Sequence, residues 1–349
     1  MIRVGVIGYG YWGPNIVRNF NNGDLSQVVM VCDQRPEALR RVQQAYPHVK
    51  VTRDSFELIS SPNIDVVAVV TPVWTHFELA KSALEAGKHV FVEKPFTFKS
   101  SQAEDLVNLA EQKHLQIMVD HTFLFTGAVK KIRQLIDNGT LGNLYYYDST
   151  RVNLGLFQHD VNVIWDLAPH DLSIMDYLIQ EKPEGVVASA ERHLNGLEDV
   201  AFLTYYFPHN IIAHINVNWL SPVKVRTTLI GGEKKMVVWN DLEADEKIRV
   251  YDKGVEKTNG NGNGNGNGDH IYEMLIKYRT GDMWAPQVEH TEALKKELEY
   301  FVDCINTNRV PINDGKAGWR IVRMLEAANQ SVRQKGSMVE FWKEEMAVA

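Results

Sequence analysis

No feature of this chain constrains its fold more than the glycine-rich segment Gly8-Tyr9-Gly10-Tyr11-Trp12-Gly13. The segment follows an apolar run over residues 2–7 and precedes a helix-like stretch. In a G-x-G-x-x-G pattern the glycines allow a tight turn, let the backbone approach a pyrophosphate and let the helix pack closely on the strand. The first helical N–H groups and the positive end of the helix dipole then attract phosphates. The pattern predicts a dinucleotide site; the alternative is a glycine-rich turn in another α/β fold.

Asp33 predicts which dinucleotide is bound. It follows the second apolar run, residues 28–32, and a carboxylate at this place accepts hydrogen bonds from ribose hydroxyls. The same carboxylate repels a 2′-phosphate, so NAD is the expected cofactor. Arg35 lies two residues later and can turn toward a phosphate, so NADP stays open as an alternative; otherwise Arg35 is a solvated loop cation.

The first third of the chain alternates strand and helix patterns, which is typical of a doubly wound parallel sheet. We expect strands at residues 2–7, 28–32, 65–70, 89–92 and 116–120, and helices at 13–20, 36–45, 55–60, 75–86 and 100–113. Ligands of such sheets bind at the carboxyl ends of the strands. Residues 1–120 are therefore predicted to form a Rossmann dinucleotide-binding domain of the α/β class.

Beyond about residue 121 the pattern changes to strand-like runs joined by short turns, which predicts an open, mainly antiparallel sheet. The expected strands are 144–153, 185–192, 199–207, 211–220, 226–231, 235–240 and 248–251, and the expected helices are 127–138, 166–179, 290–306 and 316–335. Residues 121–349 are therefore predicted to form an α+β domain for substrate binding and oligomerisation. The Asn-Gly repeats at 259–268 predict a mobile loop without chemistry.

Composition argues against several classes of protein. The chain has 349 residues, of which 44% are apolar, enough for two cores. Its net charge of −7 without a basic cluster argues against a nucleic-acid partner. Cys32 and Cys304 give neither a disulfide framework nor a metal-binding spacing. The sequence shows no signal-peptide pattern and no apolar run of about 18–20 residues, so we expect a cytoplasmic protein without a membrane partner.

Thr71 and Pro72 follow the predicted strand 65–70, at the edge of the sheet where the cofactor is expected. The proline fixes φ and so shapes this turn. His76, five residues after Thr71, is predicted either to contact the cofactor through its ring or to cap the helix that follows.

Glu93, Lys94 and Pro95 come directly after the predicted strand 89–92, where they are expected to face the cofactor. The Lys94 ammonium can donate a hydrogen bond to a substrate hydroxyl or carbonyl and can take part in proton transfer. A cis peptide bond before Pro95 would aim this lysine, since cis bonds occur almost only before proline. The alternative is that Lys94 is a surface charge.

Asp166 and His170 are four residues apart, so a helix places both on one face. A neighbouring carboxylate orients an imidazole and raises its pKa. Because histidine titrates near neutral pH, His170 can take the proton that a hydroxyl loses. The alternative is a capping aspartate with a core-facing histidine. A metal is not expected, because no third ligand lies at a suitable spacing.

The segment before this helix is expected to line the outer pocket. Arg151, Asn153 and Gln158 suit a polyhydroxylated ligand, and Arg151 can also meet a carboxylate or a pyrophosphate. His121, directly after the predicted strand 116–120, is expected to enter the same pocket.

Together these motifs resemble the Gfo/Idh/MocA oxidoreductase family over nearly the whole chain. The resemblance is carried by Gly8, Gly10 and Gly13, by Asp33, Thr71, Pro72 and His76, by Glu93-Lys94-Pro95, by Asp166 and His170, and by the ending from Asp314 to Phe341. It implies a Rossmann domain followed by a domain with an open antiparallel sheet, through which members commonly form dimers or tetramers. It also implies that Lys94 and His170 handle the proton, with Asp166 in support, and that all three contact the substrate.

The resemblance further implies hydride transfer between NAD and a secondary hydroxyl or ketone of a small molecule. The substrate would be a free sugar, a cyclitol, or a nucleotide-linked sugar that reacts at its 3-hydroxyl. Two alternatives stay open because a fold does not fix a function. One is a non-catalytic sensor of sugars or dinucleotides, and the other is a glycoside hydrolase that uses bound NAD as a transient oxidant.

Overall fold

Two sheets with helices packed against them are formed by residues 1–155, 157–257 and 276–341, which are the residues that the computed structural model describes. The helices are α1 (Gly13–Asn21), α2 (Pro36–Ala45), α3 (Ser55–Ile59), α4 (His76–Glu85), α5 (Ser100–Lys113), α6 (Gly127–Asp137), α7 (Val163–Leu178), α8 (Ala293–Thr307) and α9 (Gly315–Arg333). The strands are β1 (Ile2–Ile7), β2 (Ser26–Cys32), β3 (Lys50–Thr52), β4 (Val66–Val69), β5 (His89–Val92), β6 (Ile117–Val119), β7 (Leu144–Leu154), β8 (Gly185–Glu191), β9 (Val200–Tyr206), β10 (Ile212–Asn218), β11 (Leu220–Gly232), β12 (Met236–Asn240), β13 (Ile248–Lys257), β14 (Ile276–Trp284) and β15 (Val339–Glu340).

The first sheet contains six parallel strands in the order β3-β2-β1-β4-β5-β6. Strand β4 is buried along its whole length, which is the reason for its continuous apolar sequence. The direction of strand addition reverses between β1 and β4, and such a switch point opens a crevice outside the carboxyl ends of the strands. The predicted Rossmann arrangement is confirmed.

The second sheet contains nine strands in the order β14-β13-β12-β11-β7-β10-β9-β8-β15. Its neighbouring strands are antiparallel except for the parallel pair of β10 and β7. Along β9, buried Leu203 and Tyr205 alternate with exposed Phe202 and Tyr206. One face of the sheet therefore packs on α7 and α9, while the other face is open. The predicted open, mainly antiparallel sheet is confirmed.

Several element boundaries differ from the sequence-based expectation. Strands β3 and β14 were not predicted, and β13 continues to Lys257 because it pairs with β14. Helix α7 begins at Val163 rather than at 166, since the side chain of Asn162 caps it by accepting a hydrogen bond from Trp165 N at 3.1 Å. The Asn-Gly repeats lie outside the described residues. The domain boundary after residue 120 stays a prediction.

Hydrogen bonds connect the end of β6 and the residues directly after it to α8 and to the residues before α9. Asn313 Nδ2 donates to Val119 O at 2.7 Å, and Val119 N donates to Asn313 O at 2.9 Å. The fully buried Glu297 of α8 accepts hydrogen bonds from His121 N at 3.0 Å and from Asn313 Nδ2 at 2.8 Å. These contacts tie the carboxyl edge of the parallel sheet to α8 and α9.

Candidate active site

The glycine-rich turn after β1 has the shape that a pyrophosphate site needs. Gly8 has a φ of +101°, and a Cβ atom there would lie 2.3 Å from Val70 O. A Cβ on Gly13 would lie 2.5 Å from Gly8 O, so this glycine allows α1 to start against the turn. At Gly10 the nearest atom to a Cβ is Arg35 Nη2 at 3.9 Å, which leaves the backbone open to a ligand. The three positions therefore fit the three roles of the dinucleotide pattern.

The carboxylate of Asp33 lies beside this turn. It accepts hydrogen bonds from Tyr9 N at 2.8 Å and from Arg35 N and Nη2, both at 2.9 Å. Burial raises the pKa of Asp33, but the hydrogen bonds from Arg35 and Tyr9 outweigh burial and lower the pKa below its usual value. Asp33 is thus ionised and held beside the glycine-rich turn. Arg35 is half exposed and lies against the same carboxylate.

The two aromatic residues of the turn differ in their surroundings. Tyr11 is 90% exposed, whereas Trp12 donates from Nε1 to Asp120 Oδ2 at 2.8 Å. Both line a cleft of about 840 Å³ that runs from Gly10 to the face of α7. Trp12 therefore connects the glycine-rich turn of residues 8–13, called the phosphate turn below, with the end of β6.

His76 does not line this cleft. Its Nδ1 lies 2.9 Å from Pro95 O and its Nε2 lies 2.7 Å from Thr71 O, with the side chain fully buried. The ring thus links the loop after β4 to the loop after β5, while Thr71 and Pro72 themselves line the cleft. Of the two roles predicted for His76, its geometry corresponds to the structural one, although it links two loops rather than capping α4.

Lys94 and Asp166 meet across the cleft. Lys94 Nζ donates to the backbone oxygen of Asp166 at 2.8 Å and lies 3.5 Å from its Oδ1. Trp219 Nε1 donates to the other carboxylate oxygen at 3.1 Å. The peptide bond between Lys94 and Pro95 is cis, as expected. The ammonium and the carboxylate are therefore held in one orientation by three different chain segments.

His170 lines the same cleft, one helical turn after Asp166. Its ring packs against Phe123 with 5.0 Å between ring centroids, and its buried Nδ1 has no hydrogen-bond partner among the described residues. Burial, followed by the positive charges of Lys94 and Arg151, lowers the pKa of His170 well below its usual value. The expectation that a carboxylate raises this pKa was wrong, because Asp166 bonds to Lys94 and Trp219 instead.

Glu93 also lines the cleft, beside Lys94. Burial, and then the carboxylate of Asp120, raises the pKa of Glu93 well above its usual value. Its buried Oε2 has no hydrogen-bond partner within the part of the chain that the structure describes. The surroundings of Glu93 therefore favour its protonated form, in which the carboxyl group can donate a hydrogen bond.

Three residues predicted for the substrate pocket do not line this cleft, namely Arg151, His121 and Asn153. Arg151 is buried in an ion pair with Asp171, whose Oδ2 lies 2.6 Å from Arg151 Nε. His121 lines a second cavity of about 410 Å³ together with Asp176 and Arg320. Burial lowers the pKa of His121 to about 4, and neither ring nitrogen has a partner in the described ranges.

The cleft wall near α7 combines predicted and unpredicted residues. Gln158 lines it as expected, but Asn153 does not. The sequence reasoning missed Phe123, Asp160, Trp219 and Arg226; all but Trp219, which holds Asp166, line the cleft. Phe123 and Asp160 lie two residues from predicted site residues, which is the signal that could have found them. Trp219 and Arg226 come from the second sheet and belong to no motif.

No group of three histidine, cysteine or carboxylate side chains in the described ranges is placed to hold a metal ion. Likewise, none of the helices in those ranges combines the length and the apolar character needed to cross a bilayer.

A Rossmann sheet with a glycine cradle, an ionised Asp33 and a lysine and histidine facing one cleft defines the class of NAD-binding oxidoreductases. Residues 2–121 match the GFO_IDH_MocA profile, described as an oxidoreductase family with an NAD-binding Rossmann fold. Residues 129–238 match the profile of the GFO/IDH/MocA C-terminal domain. The chain belongs to the GFO/IDH/MocA oxidoreductase family.

Several relatives are similar to this chain. The "Uncharacterized oxidoreductase YdgJ" of Escherichia coli is 36% identical over 181 residues, which cover 48% of this chain and about half, 51%, of that protein. The UDP-N-acetylglucosamine 3-dehydrogenase of Acidithiobacillus ferrooxidans is 25% identical, with 92% of this chain and 94% of that protein covered. Its solved structure superposes with a TM-score of 0.80, covering 95% of this chain and 98% of that one at 23% identity. The myo-inositol 2-dehydrogenase of Thermotoga maritima is 23% identical, with 97% and 98% covered.

Proposed function

We propose that this protein oxidises a secondary hydroxyl of a sugar, a cyclitol or a nucleotide-linked sugar, or reduces the corresponding ketone, with NAD as the cofactor. The observation that carries the proposal is the presence of Lys94, Asp166 and His170 in one cleft that begins at Gly10 of the phosphate turn. A single ligand can therefore meet the dinucleotide site and all three side chains.

Each side chain has a chemical role that its surroundings support. The Lys94 ammonium, held by Asp166, donates a hydrogen bond to the substrate oxygen that becomes the carbonyl oxygen. His170 is neutral and takes the hydroxyl proton; Nε2 is the nitrogen that can meet a substrate, because Nδ1 is buried. When bound, NAD⁺ supplies the acceptor for the hydride that leaves the carbinol carbon. In the reverse direction His170 returns the proton to the oxygen of the ketone.

Within this substrate class we favour a nucleotide-linked sugar that reacts at its 3-hydroxyl. The relative from Acidithiobacillus ferrooxidans is named as such an enzyme, and this chain matches it over nearly its full length. The cleft wall near α7 offers an amide, a carboxylate and a guanidinium in Gln158, Asp160 and Arg226, which suit hydroxyl and phosphate groups. A cyclitol is the other candidate, because the relative from Thermotoga maritima is named for one.

We also propose that a second copy of the chain covers the open face of the nine-stranded sheet. Phe202, Tyr206 and Ile212 are 43%, 39% and 39% exposed on this face. Exposed aromatic and aliphatic side chains on one sheet face are typical of an interface. A homodimer or a homotetramer would bury them. A cytoplasmic location stays a prediction.

The test is a screen of purified protein for NADH or NADPH formation with sugars, cyclitols and nucleotide-linked sugars. Lys94→Ala should lower kcat/KM at least about a hundredfold, the usual contribution of a positioned acid or base, while NAD affinity measured by calorimetry is retained. Lys99→Ala, an exposed lysine five residues later, is the matched control and should keep full activity. Wild-type activity in Lys94→Ala would disprove the assignment. Release of sugar from a glycoside without net NADH would indicate the hydrolase, and binding without turnover would indicate the sensor.

A further inference from the structure

The surroundings of His170 contain an aromatic ring and an arginine that the proposed reaction does not use directly. Phe123 packs edge-on against the imidazole, with 5.0 Å between ring centroids and an angle of 63° between the planes. The guanidinium carbon of Arg151 lies 4.5 Å from the centroid of the same phenyl ring. Phe123 therefore contacts both the imidazole and the cation.

Arg151 is fixed with little freedom to move. Its side chain is 6% exposed, and it bonds to Asp171 through Nε at 2.6 Å and through Nη2 at 3.3 Å. Ser149 also donates to Asp171 Oδ1 at 2.6 Å. Asp171 follows His170 in α7, so the ion pair ties β7 to this helix beside the imidazole. A two-pronged contact of this kind defines the position of a guanidinium.

The buried Nδ1 of His170 has no hydrogen-bond partner among the described residues. A catalytic histidine is commonly oriented by a hydrogen bond at the nitrogen that does not react. No described residue makes that bond to His170, so we infer that packing orients the ring. Phe123 is the aromatic residue in contact with it.

We propose that Phe123 and Arg151 are positioning residues for His170: the phenyl ring fixes the plane of the imidazole, and the buried guanidinium stacked on that ring fixes the phenyl group. The positive charge of the same guanidinium also lowers the pKa of His170. The kinetic part of this proposal rests on the proposed function, whereas the part on charge does not. Arg151 thus acts through Phe123 and through its field, and not by binding substrate.

Arg151 is not the only charge that acts on His170. Besides burial, three other groups disfavour the imidazolium, namely Lys94 after β5, His121 after β6 and Arg226 in β11. On α7 itself, Asp166 is bonded to Lys94, and Asp171 is bonded to Arg151. The surroundings of Glu93 raise its pKa and so favour its neutral form. Replacing both Arg151 and its partner Asp171 by neutral residues should therefore shift the protonation midpoint of His170. The effects of Lys94, His121 and Arg226 on that midpoint should remain.

The experiment compares two phenylalanines of the same short segment in the full chain saturated with NAD⁺. Phe123→Leu removes the ring that contacts His170, whereas Phe125→Leu removes a buried ring that packs on Tyr300 instead. The protonation midpoint of His170 is followed by NMR of the imidazole ring, with its signal identified by its absence in His170→Gln. This readout needs no substrate, so it remains informative if the proposed reaction is wrong.

Phe123→Leu should raise the midpoint of His170, because the smaller side chain exposes the imidazole and burial is the largest cause of its lowered pKa. The same change should lower kcat by about tenfold to a hundredfold with little change in KM, as expected for a misplaced base. Phe125→Leu should leave both unchanged. The double variant Arg151→Met/Asp171→Asn should move the midpoint, and the acid limb of the kcat/KM profile, upward toward the usual value of about 6.5. Any of three results would overturn the proposal. The two leucine variants could behave alike, Phe123→Leu could raise KM without lowering kcat, or the double variant could leave the midpoint of His170 unchanged.

Discussion

Replacing Trp219 by phenylalanine isolates one hydrogen bond of the candidate site. Trp219 is 1% exposed, and its Nε1 donates to Asp166 Oδ2 at 3.1 Å. Phenylalanine keeps an aromatic ring at this position but removes the donor. Among the described residues, the Asp166 carboxylate then keeps its long contact with Lys94 Nζ, which lies 3.5 Å from Oδ1. We expect the carboxylate to rotate and the ammonium to lose its fixed direction.

The size of the effect follows from the type of bond. A hydrogen bond to a charged group contributes about 1.5–3 kcal/mol. The side chain of Asp166 is 19% exposed, so water can replace part of the lost bond and the lower end of this range applies. A loss of about 1.5 kcal/mol in the transition state corresponds to a decrease of roughly tenfold in kcat/KM. NAD affinity should stay unchanged, because Trp219 does not line the dinucleotide part of the cleft.

Trp239→Phe is the matched control. Trp239 is also buried, at 2% exposure, but its Nε1 has no partner in the described part of the chain. The same change in chemistry and volume there costs no hydrogen bond to a charged group. The assay is kcat/KM with the best substrate, with urea unfolding to measure the free energy of each variant. If the two variants lose the same activity, the orientation of Asp166 by Trp219 does not matter for catalysis.

Two further predictions concern the cofactor side of the cleft. Gly10→Ala should leave the unfolding temperature unchanged, since the nearest atom to a Cβ there is Arg35 Nη2 at 3.9 Å. The same change should weaken NAD binding at least about tenfold, because the backbone can no longer approach a pyrophosphate. Calorimetry that finds wild-type affinity would contradict this prediction. Glu93→Gln should stabilise the protein at pH 7 but not near pH 4. Folding raises the pKa of Glu93, so its carboxyl group favours the folded state below the unfolded pKa of about 4.3, and this contribution is lost as the pH rises toward the folded pKa. Glutamine does not ionise and so has no such loss. Urea unfolding at both pH values tests it, and a stability difference that does not change with pH would refute it.

The parts of the fold that sequence could predict are those with local patterns. Strand β4 is recognisable because four consecutive apolar residues reflect burial on both faces. The phosphate turn is recognisable because its glycines recur at the spacing of the dinucleotide pattern. Strand β3 has only three residues, and its pairing with β2 depends on a register that no local pattern records. Strand β14 is defined by pairing with β13.

The candidate site shows the same division. Lys94, Asp166 and His170 were predictable because each lies at a strand end or at a helical spacing. Trp219 and the ion pair between Arg151 and Asp171 were not, because they depend on how a strand of the second sheet faces α7. On β7 the alternation of side chains decides whether Arg151 points into the cleft or into the core. The buried partner Asp171 belongs to the core side, so the arginine that was expected to bind substrate has a structural contact instead.

His76 and His170 show why residue type alone could not assign the roles of the predicted histidines. His76 has both ring nitrogens against backbone oxygens, so it has no atom left for a ligand. His170 has a buried nitrogen without a partner among the described residues and lies in the cleft wall. A neutral imidazole has one donor and one acceptor. What distinguishes the structural histidine from the candidate base is thus whether backbone atoms already lie against its ring nitrogens. For His76 this depends on how the loops after β4 and β5 meet, and for His170 on how α7 packs on the second sheet.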